Sequence, residues 1–288
     1  MGIEISKGII LAGGKGTRLY PLTRGITKQL LAIYDKPLIY YPLAVLLQLN
    51  IKNILIITNP EDTERFQALL GFGSDLGIRI EYEAQETPTG IGSAFLIGEK
   101  FIDNDNVALI LGDNIFFDSS ELKAGLENFS GGGMIFAKAV DNPAEYGIAE
   151  VDDKGKVVSI VEKPEVPRSN LAVTGVYFYD SEVVEITKHL PASDRGELEI
   201  TDINLDYLSR EKLEVIRLSK NLIWYDAGTP RGMLDAAWTV ALNESQTKQI
   251  CCPEEIAYRQ GFINLEQLQR AIEKMPESEY RSYLSRVR

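Results

Sequence analysis

The sequence predicts an α/β fold: a Rossmann-like, mostly parallel mixed sheet flanked by helices, with an inserted smaller sheet and a C-terminal helical extension. Three observations lead there. Short apolar runs alternate with helix-period segments through the first half of the chain. Runs such as Ile54-Leu55-Ile56-Ile57 are hydrophobic without alternation, as strands covered on both faces are. The first of these runs ends in a glycine-rich turn, Gly13-Gly14-Lys15-Gly16. At 288 residues, with 44% hydrophobic and 25% charged side chains, the chain has ordinary globular composition and length for one large unit or two modest ones.

Taken in order, Gly8–Ala12, Asn53–Thr58, Ile78–Glu83 and Val107–Leu111 read as buried strands. Helices are expected between them over Tyr41–Leu49, Asp62–Leu70 and Gly92–Phe101. That alternation implies βαβ units with right-handed crossovers. After Gly131-Gly132-Gly133 the texture changes. Met134–Val140, Gly147–Val151, Val157–Glu162 and Val173–Tyr179 arrive closely, separated by turn signals such as Asp152-Asp153-Lys154-Gly155. They read as mixed or antiparallel sheet added to the parallel core. Helical periodicity returns at Ser181–His189, Glu199–Leu208 and Arg231–Glu244, and Pro253 then precedes two short helices. Asn264 caps the first of these, with Gln267 at the capping-box position and Leu265, Leu268, Ile272 and Met275 on one face. The chain thus divides into a main unit over 1–248, in halves of about 1–130 and 131–230, and an extension over 249–288.

Thirty basic and 42 acidic residues give a net charge of −12, the wrong sign for a non-specific nucleic-acid binder. Residues 249–288 carry six of each sign, so the whole excess lies in the first 248 residues. An anionic substrate gains no long-range attraction from such a chain and must be held by a few local cations. The two cysteines, Cys251 and Cys252, are adjacent, which suits neither a disulfide nor a metal cluster, and the single His189 excludes a histidine-ligated site. Glu4 and Lys7 interrupt any signal-peptide core, and no apolar run approaches the roughly 18 residues of a membrane span. The expectation is a soluble cytoplasmic protein with neither a membrane nor a nucleic-acid partner.

The segment Leu11-Ala12-Gly13-Gly14-Lys15-Gly16-Thr17-Arg18-Leu19 can turn tightly and aim backbone N–H groups at a phosphate, with Lys15 and Arg18 supplying charge. It lacks the Walker spacing, and Leu19 stands where a dinucleotide fingerprint has its third glycine; an ordinary strand-to-helix turn is the alternative. Lys28 taken alone reads as a solvated lysine. Asp113, in Leu111-Gly112-Asp113-Asn114, ends a buried strand, where open α/β sheets bind ligands. Asp226 follows another short apolar stretch. Each is singly as consistent with a turn or N-cap aspartate, but two of them beside a phosphate loop favour Mg²⁺, a hard cation that prefers oxygen ligands. Lys163, fixed by Pro164, is placed for a second phosphate. The Gln85 amide offers a donor and an acceptor, the complement of a pyrimidine's N3–H and O4 edge; a plain surface glutamine is the alternative. His189 and the cysteines read as structural.

Together these segments resemble the glucose-1-phosphate thymidylyltransferases, a branch of the sugar nucleotidyltransferase family, nearly end to end. The likeness runs through Leu11–Arg18, Thr27–Leu31, Tyr34-Asp35-Lys36-Pro37, Leu111–Phe116, Glu162-Lys163-Pro164, Val173–Tyr177, Arg195–Asp202 and Trp224–Thr229. The tail Cys252-Pro253-Glu254-Glu255-Ile256 resembles the long form. The resemblance implies Mg²⁺-assisted, in-line attack of α-D-glucose 1-phosphate on the α-phosphate of dTTP, giving dTDP-glucose and pyrophosphate for dTDP-deoxysugar synthesis such as that of dTDP-L-rhamnose. It assigns catalysis to Arg18, Lys28 and Lys163, and nucleotide binding to Leu11, Gly13, Gly14, Gly16, Thr17, Arg18, Lys28, Gln29, Gln85, Gly90 and Asp113. The sugar phosphate falls to Tyr146, Gly147, Glu162, Lys163, Val173, Tyr177 and Arg195, and the metal to Asp113 and Asp226. The long form further implies a homotetramer and a regulatory site bordered by Cys252, Glu255 and Ile256.

Four positions depart from the family pattern. Where the family usually reads Gln-Pro-x-Pro-x-Gly-Leu-Ala-Gln-Ala, this chain has Glu86 for the first proline and Ser93 for the second glutamine; Ala227 and Lys15 replace a usual threonine and serine. The changes around Gln85 leave UTP open as a second nucleotide, and a UTP-dependent uridylyltransferase is the alternative function. A non-catalytic nucleotide-sugar sensor is weaker, because Arg18, Asp113, Lys163 and Asp226 are all retained.

Overall fold

The computed structural model describes residues 4–245 and 248–288, so the first three residues of the N-terminal segment and residues 246–247, near the end of the main unit, lie outside it. β1 (Lys7–Ala12) is followed by a two-residue hairpin, β2 (Ala32–Ile33) and β3 (Lys36–Pro37). Next come β4 (Asn53–Thr58), β5 (Arg79–Ala84), β6 (Val107–Leu111) and the short β7 (Asn114–Phe116). β8 (Gly133–Ala139), β9 (Gly147–Val151), β10 (Val157–Glu162), β11 (Leu171–Tyr179), β12 (Leu213–Arg217) and β13 (Trp224–Asp226) complete the set. Nine of these strands form one mixed sheet in the order β10-β9-β11-β6-β1-β4-β5, with β8 on the other edge of β11 and β12 parallel to β8. The expected small additional sheet takes the form of two antiparallel ribbons, β7–β13 and β2–β3.

β1 lies between β4 and β6, parallel to both, and its alternating side chains serve two cores. Ile10 packs with Leu46, Ile54 and Ile56 under helix Tyr40–Gln48, whereas Ile9 packs with Leu55, Phe95 and Leu109 on the opposite face. The chain adds β4 and β5 on one side of β1 and then crosses to place β6 on the other. That reversal leaves a crevice beyond the carboxyl ends of β1 and β6, where ligands of open α/β sheets bind. β11 runs antiparallel to β6 over Val176–Tyr179 and pairs with β9 at Leu171–Ala172. Between these stretches its register with β8 shifts, so Thr174 and Gly175 form a bulge facing the crevice end of β6.

The structure revises three expectations. The helix foreseen over Gly92–Phe101 is two pieces, Ser93–Ile97 and Glu99–Ile102, joined at Gly98. A Cβ at Gly98 would stand 3.0 Å from both Ala94 O and Ile9 Cδ1, so the chain breaks where it presses on the sheet. β12 was not foreseen, because Leu213–Arg217 buries only its first residue fully. The extension holds three helices rather than two: Pro253–Arg259, Leu265–Glu273 and Glu279–Leu284. The capping box at Asn264 and Gln267 forms in full. Among the described residues no helix is long and apolar enough to cross a membrane.

One buried charge ties the β2–β3 hairpin to the end of helix Pro230–Asn243. Lys36, with a side chain 1% exposed, donates to Asp35 Oδ1 at 2.6 Å and Glu244 Oε1 at 2.7 Å and lies over the Tyr41 ring. Burial pulls its pKa down, but the two carboxylates outweigh that and hold it above the usual lysine value. Lys36→Ala therefore strands Glu244 as a buried carboxylate, and urea unfolding of this variant is expected to show a loss of about 3 kcal/mol.

Candidate active site

A cavity of about 330 Å³ opens at the crevice. One wall is the turn after β1, with Leu11, Gly13, Gly14 and Arg18, together with Lys28, Gln29, Gln85 and Gly90. Its other wall comes from the β8–β11 region, with Tyr146, Gly147, Glu162, Lys163, Val173 and Tyr177, and from the loop before helix Ile200–Ser209, with Arg195. Asp113 and Asp226 also line the cavity. Because β6 stands between β1 and β11, Asp113 at its end lies between the two walls. Gly16 and Thr17 are not part of the lining; Gly16 O instead accepts a bond from Thr23 Oγ1 behind the turn. Lys15 also faces elsewhere, lining a neighbouring depression with Arg24, Asp62 and Arg65.

Asp113 is buried and paired with Lys28 Nζ, and Asn114 Nδ2 donates to its Oδ1 at 3.1 Å. Burial raises its pKa, yet the Lys28 ammonium and these hydrogen bonds prevail and hold the carboxyl below its usual range. Asp226 differs. Burial and repulsion from Asp113 raise its pKa, while Arg18, 3.9 Å away, and the Gly228 N–H at 2.8 Å compensate only in part. Two neighbouring acidic groups, one ionised and one short of positive charge, form a donor set that suits a divalent cation.

Sequence reasoning named Asn114 within its segment and gave it no role. Its Oδ1 accepts from Trp224 Nε1 at 2.7 Å and from Gly175 N at 3.1 Å, while its Nδ2 serves Asp113. One amide thereby fixes β13, the bulge of β11 and the Asp113 carboxylate together. The available signal was a polar residue leading directly into the apolar run Ile115-Phe116-Phe117, whose register only the β7–β13 pairing reveals.

On the second wall, Glu162 Oε2 accepts from Thr201 Oγ1 at 2.9 Å and Glu162 Oε1 lies 3.2 Å from Lys163 Nζ. Lys163 has φ 41°, a left-handed conformation that costs a side-chain-bearing residue energy, directly before Pro164. Arg195 donates to Glu199 Oε1 at 2.8 Å, and that bond raises its pKa further. Glu145, Glu197, Glu199 and Asn204 join the same wall and were not singled out from sequence. Cys252, Glu255 and Ile256 lie apart from the cavity. Cys252 is buried with its Sγ 3.1 Å from Tyr280 Oη, Glu255 accepts from Arg259 and Tyr283, and Ile256 packs against the core beneath helix Tyr40–Gln48.

Comparison with known proteins shows the family. The nucleotidyl transferase family pattern matches residues 7–242. Over 285 residues the chain is 49% identical to a glucose-1-phosphate thymidylyltransferase of Neisseria meningitidis, covering 98% of this chain and 99% of that one. A crystal structure from Bacillus anthracis, a candidate glucose-1-phosphate thymidylyltransferase in complex with sucrose, superposes with a TM-score of 0.77 at 40% identity. It covers 84% of this chain and 98% of its own. A UDP-glucose pyrophosphorylase complexed with UDP-glucose superposes with a TM-score of 0.72 at 26% identity, covering 83% of this chain and 100% of its own.

Asn114→Ala would leave the Trp224 and Gly175 donors without an acceptor and Asp113 without a donor. Urea unfolding followed by tryptophan fluorescence should show a loss of about 1–3 kcal/mol. A variant as stable as the parent would contradict the anchoring role.

Proposed function

This chain belongs to the nucleotidyl transferase family, and we propose that it transfers a thymidylyl group from dTTP to glucose 1-phosphate, releasing pyrophosphate and forming dTDP-glucose. The observation that supports this best is that the glycine turn and the Lys163–Arg195 wall share one cavity, with Asp113 between them. Two polyanions can meet there with their phosphates converging on one acidic pair. The nearer relatives favour dTTP over UTP, since the UDP-glucose pyrophosphorylase shares only 26% of residues.

The attacking group is already an anionic phosphate oxygen, so no general base is required. The obstacle is bringing like charges together and stabilising the charge that develops as pyrophosphate leaves. In this reading Arg18 and the backbone of Gly13 and Gly14 hold the triphosphate, with Gly16 and Thr17 shaping the turn from behind. Lys28, held by Asp113, is directed at the reacting phosphate. Gln85 and Gly90 face the base, and Lys163 and Arg195 hold the sugar phosphate, with Tyr146, Glu162 and Tyr177 around the glucose. Asp113 and Asp226 would hold Mg²⁺, which binds through one or two carboxylates plus substrate phosphates and neutralises charge between phosphate oxygens. The proposal extends to a cytoplasmic homotetramer supplying dTDP-deoxysugar synthesis. The extension would contribute subunit contacts and a regulatory site near Cys252, Glu255 and Ile256, which titration of an active-site-blocked variant with dTDP-rhamnose would test by revealing or failing to reveal a second class of sites.

Pyrophosphate release, measured with each nucleoside triphosphate and several sugar 1-phosphates, is expected to be fastest with dTTP and glucose 1-phosphate. EDTA should abolish it and Mg²⁺ restore it. Lys163→Ala is expected to raise KM for glucose 1-phosphate about tenfold or more, whereas Arg18→Ala lowers kcat about a hundredfold. Both variants behaving as the parent would overturn the assignment of these cations.

A further inference from the structure

Gln85 is buried at the end of β5, where its backbone N–H donates to Thr58 O at 2.8 Å. Its side-chain Nε2 donates to Ser93 Oγ at 2.7 Å, and Ser93 Oγ donates in turn to Gly90 O at 2.6 Å. The two bonds have a fixed direction. A peptide carbonyl can only accept, so the single Ser93 proton is committed to Gly90, and the serine oxygen offers Gln85 lone pairs alone. Turning the amide over would set Oε1 against those lone pairs, losing one hydrogen bond and adding a repulsion in a buried place.

The far end of the relay is equally fixed. Gly90 has φ 95°, a conformation that favours glycine, and a Cβ there would collide with the Leu198 backbone. Leu198 N donates to Thr89 O at 2.7 Å and Gly92 N donates to Leu198 O at 2.9 Å, so the carbonyl that orients Ser93 is clamped on both sides. At the other end, Gln85 Oε1 lies against the glycine turn, 2.9 Å from where a Cβ on Gly13 would stand. Among the described residues it has no hydrogen-bond partner.

We propose that Ser93 is a specificity-determining positioning residue that locks the Gln85 amide with its acceptor toward the base. The site then admits pyrimidines that carry a proton on N3 and rejects those whose N3 is a lone pair. Thymine and uracil both present N3–H and are treated alike by this device, whereas cytosine presents an acceptor to an acceptor. Without the Ser93 hydroxyl the amide is free to turn, and Nε2 can then meet cytosine N3. The inference rests on the thymidylyl-transfer reading, with Gln85 at the base.

The test is kcat/KM for dTTP, UTP and dCTP, each with glucose 1-phosphate and Mg²⁺, in the parent and in Ser93→Ala, Ser93→Cys and Ser93→Thr. The cysteine variant fills the same space with a poor hydrogen-bonding group, and the threonine variant restores the hydroxyl. The preference for dTTP over dCTP is expected to fall about tenfold or more in the alanine and cysteine variants and to return in threonine, with the dTTP-to-UTP ratio the same throughout. An unchanged dTTP-to-dCTP ratio in a folded alanine or cysteine variant overturns the proposal. So does a dTTP-to-UTP ratio that shifts in step with it, which marks general loosening of the pocket. A parent enzyme that uses dTTP and UTP no better than dCTP overturns this proposal together with the pyrimidine reading. A parent enzyme that releases no pyrophosphate with any of the nucleotides removes the thymidylyl-transfer reading beneath both.

Discussion

The site depends on keeping Asp113 ionised where it has little water. A buried carboxylate left to itself takes up a proton, and a neutral Asp113 would neither anchor Lys28 nor attract a metal ion. Lys28 and Asn114 prevent this, and each makes demands on the fold around it. Lys28 must sit at a fixed distance from the end of β6, so the chain after it is pinned: Ile39 N donates to Gln29 O and Leu38 N to Leu31 O, both at 2.9 Å. Asn114 must keep its amide in one orientation, and Trp224 and Gly175 supply the donors that set it. The bulge in β11, the short β7–β13 ribbon and the hairpin after Lys28 are thus parts of one arrangement centred on a single charge.

A second coupling joins the two walls of the cavity. Leu198, in the segment that carries Arg195 and Glu199, exchanges backbone hydrogen bonds with Thr89 and Gly92 in the loop after Gln85. The glycines at 90 and 92 permit that approach, since a Cβ at either would press on Leu198. The loop that carries Gln85 and Gly90 and the segment that carries Arg195 are therefore held in register by main-chain contacts. For a transfer whose acceleration comes from placement, rigidity between the two substrate sites is worth more than any single contact.

Much of this was legible in the sequence because it is local. The glycine turn, Asp113 at a strand end, Lys163 before Pro164 and the Asn264 capping box each depend on a few consecutive residues, and the central parallel strands β1, β4 and β6 declare themselves by near-continuous hydrophobicity. What escaped is relational. Asn114 looked like the next residue after an aspartate, and its role appears only when Trp224, 110 positions later, pairs back onto it. Gln85 offered a donor and an acceptor in either orientation until Ser93 took one of its N–H groups and fixed which way the amide points. The break at Gly98 reflects contact with Ile9 and Leu55 on strands far away in sequence, and the helix Glu279–Leu284 is too short for its periodicity to register.

The net charge of −12 takes on a specific meaning at the site, where the cations do not stand free. Lys28 pairs with Asp113, Lys163 with Glu162, Arg195 with Glu197 and Glu199, and Arg18 approaches Asp226. The cleft's own side chains are thereby close to charge balance, which spares it the repulsion of four clustered cations. These pairs differ in how readily they yield. Lys163 and Arg195 are each 52% exposed, and ion pairs of that kind are worth little, so an anion can draw either cation from its carboxylate at small cost. Lys28 is 16% exposed and bonded to a buried acid, so it keeps its partner. On the proposed reading, exchange of partners belongs to the sugar side and permanence to the nucleotide side, and an acidic protein can in this way hold two anions without a positive surface to attract them.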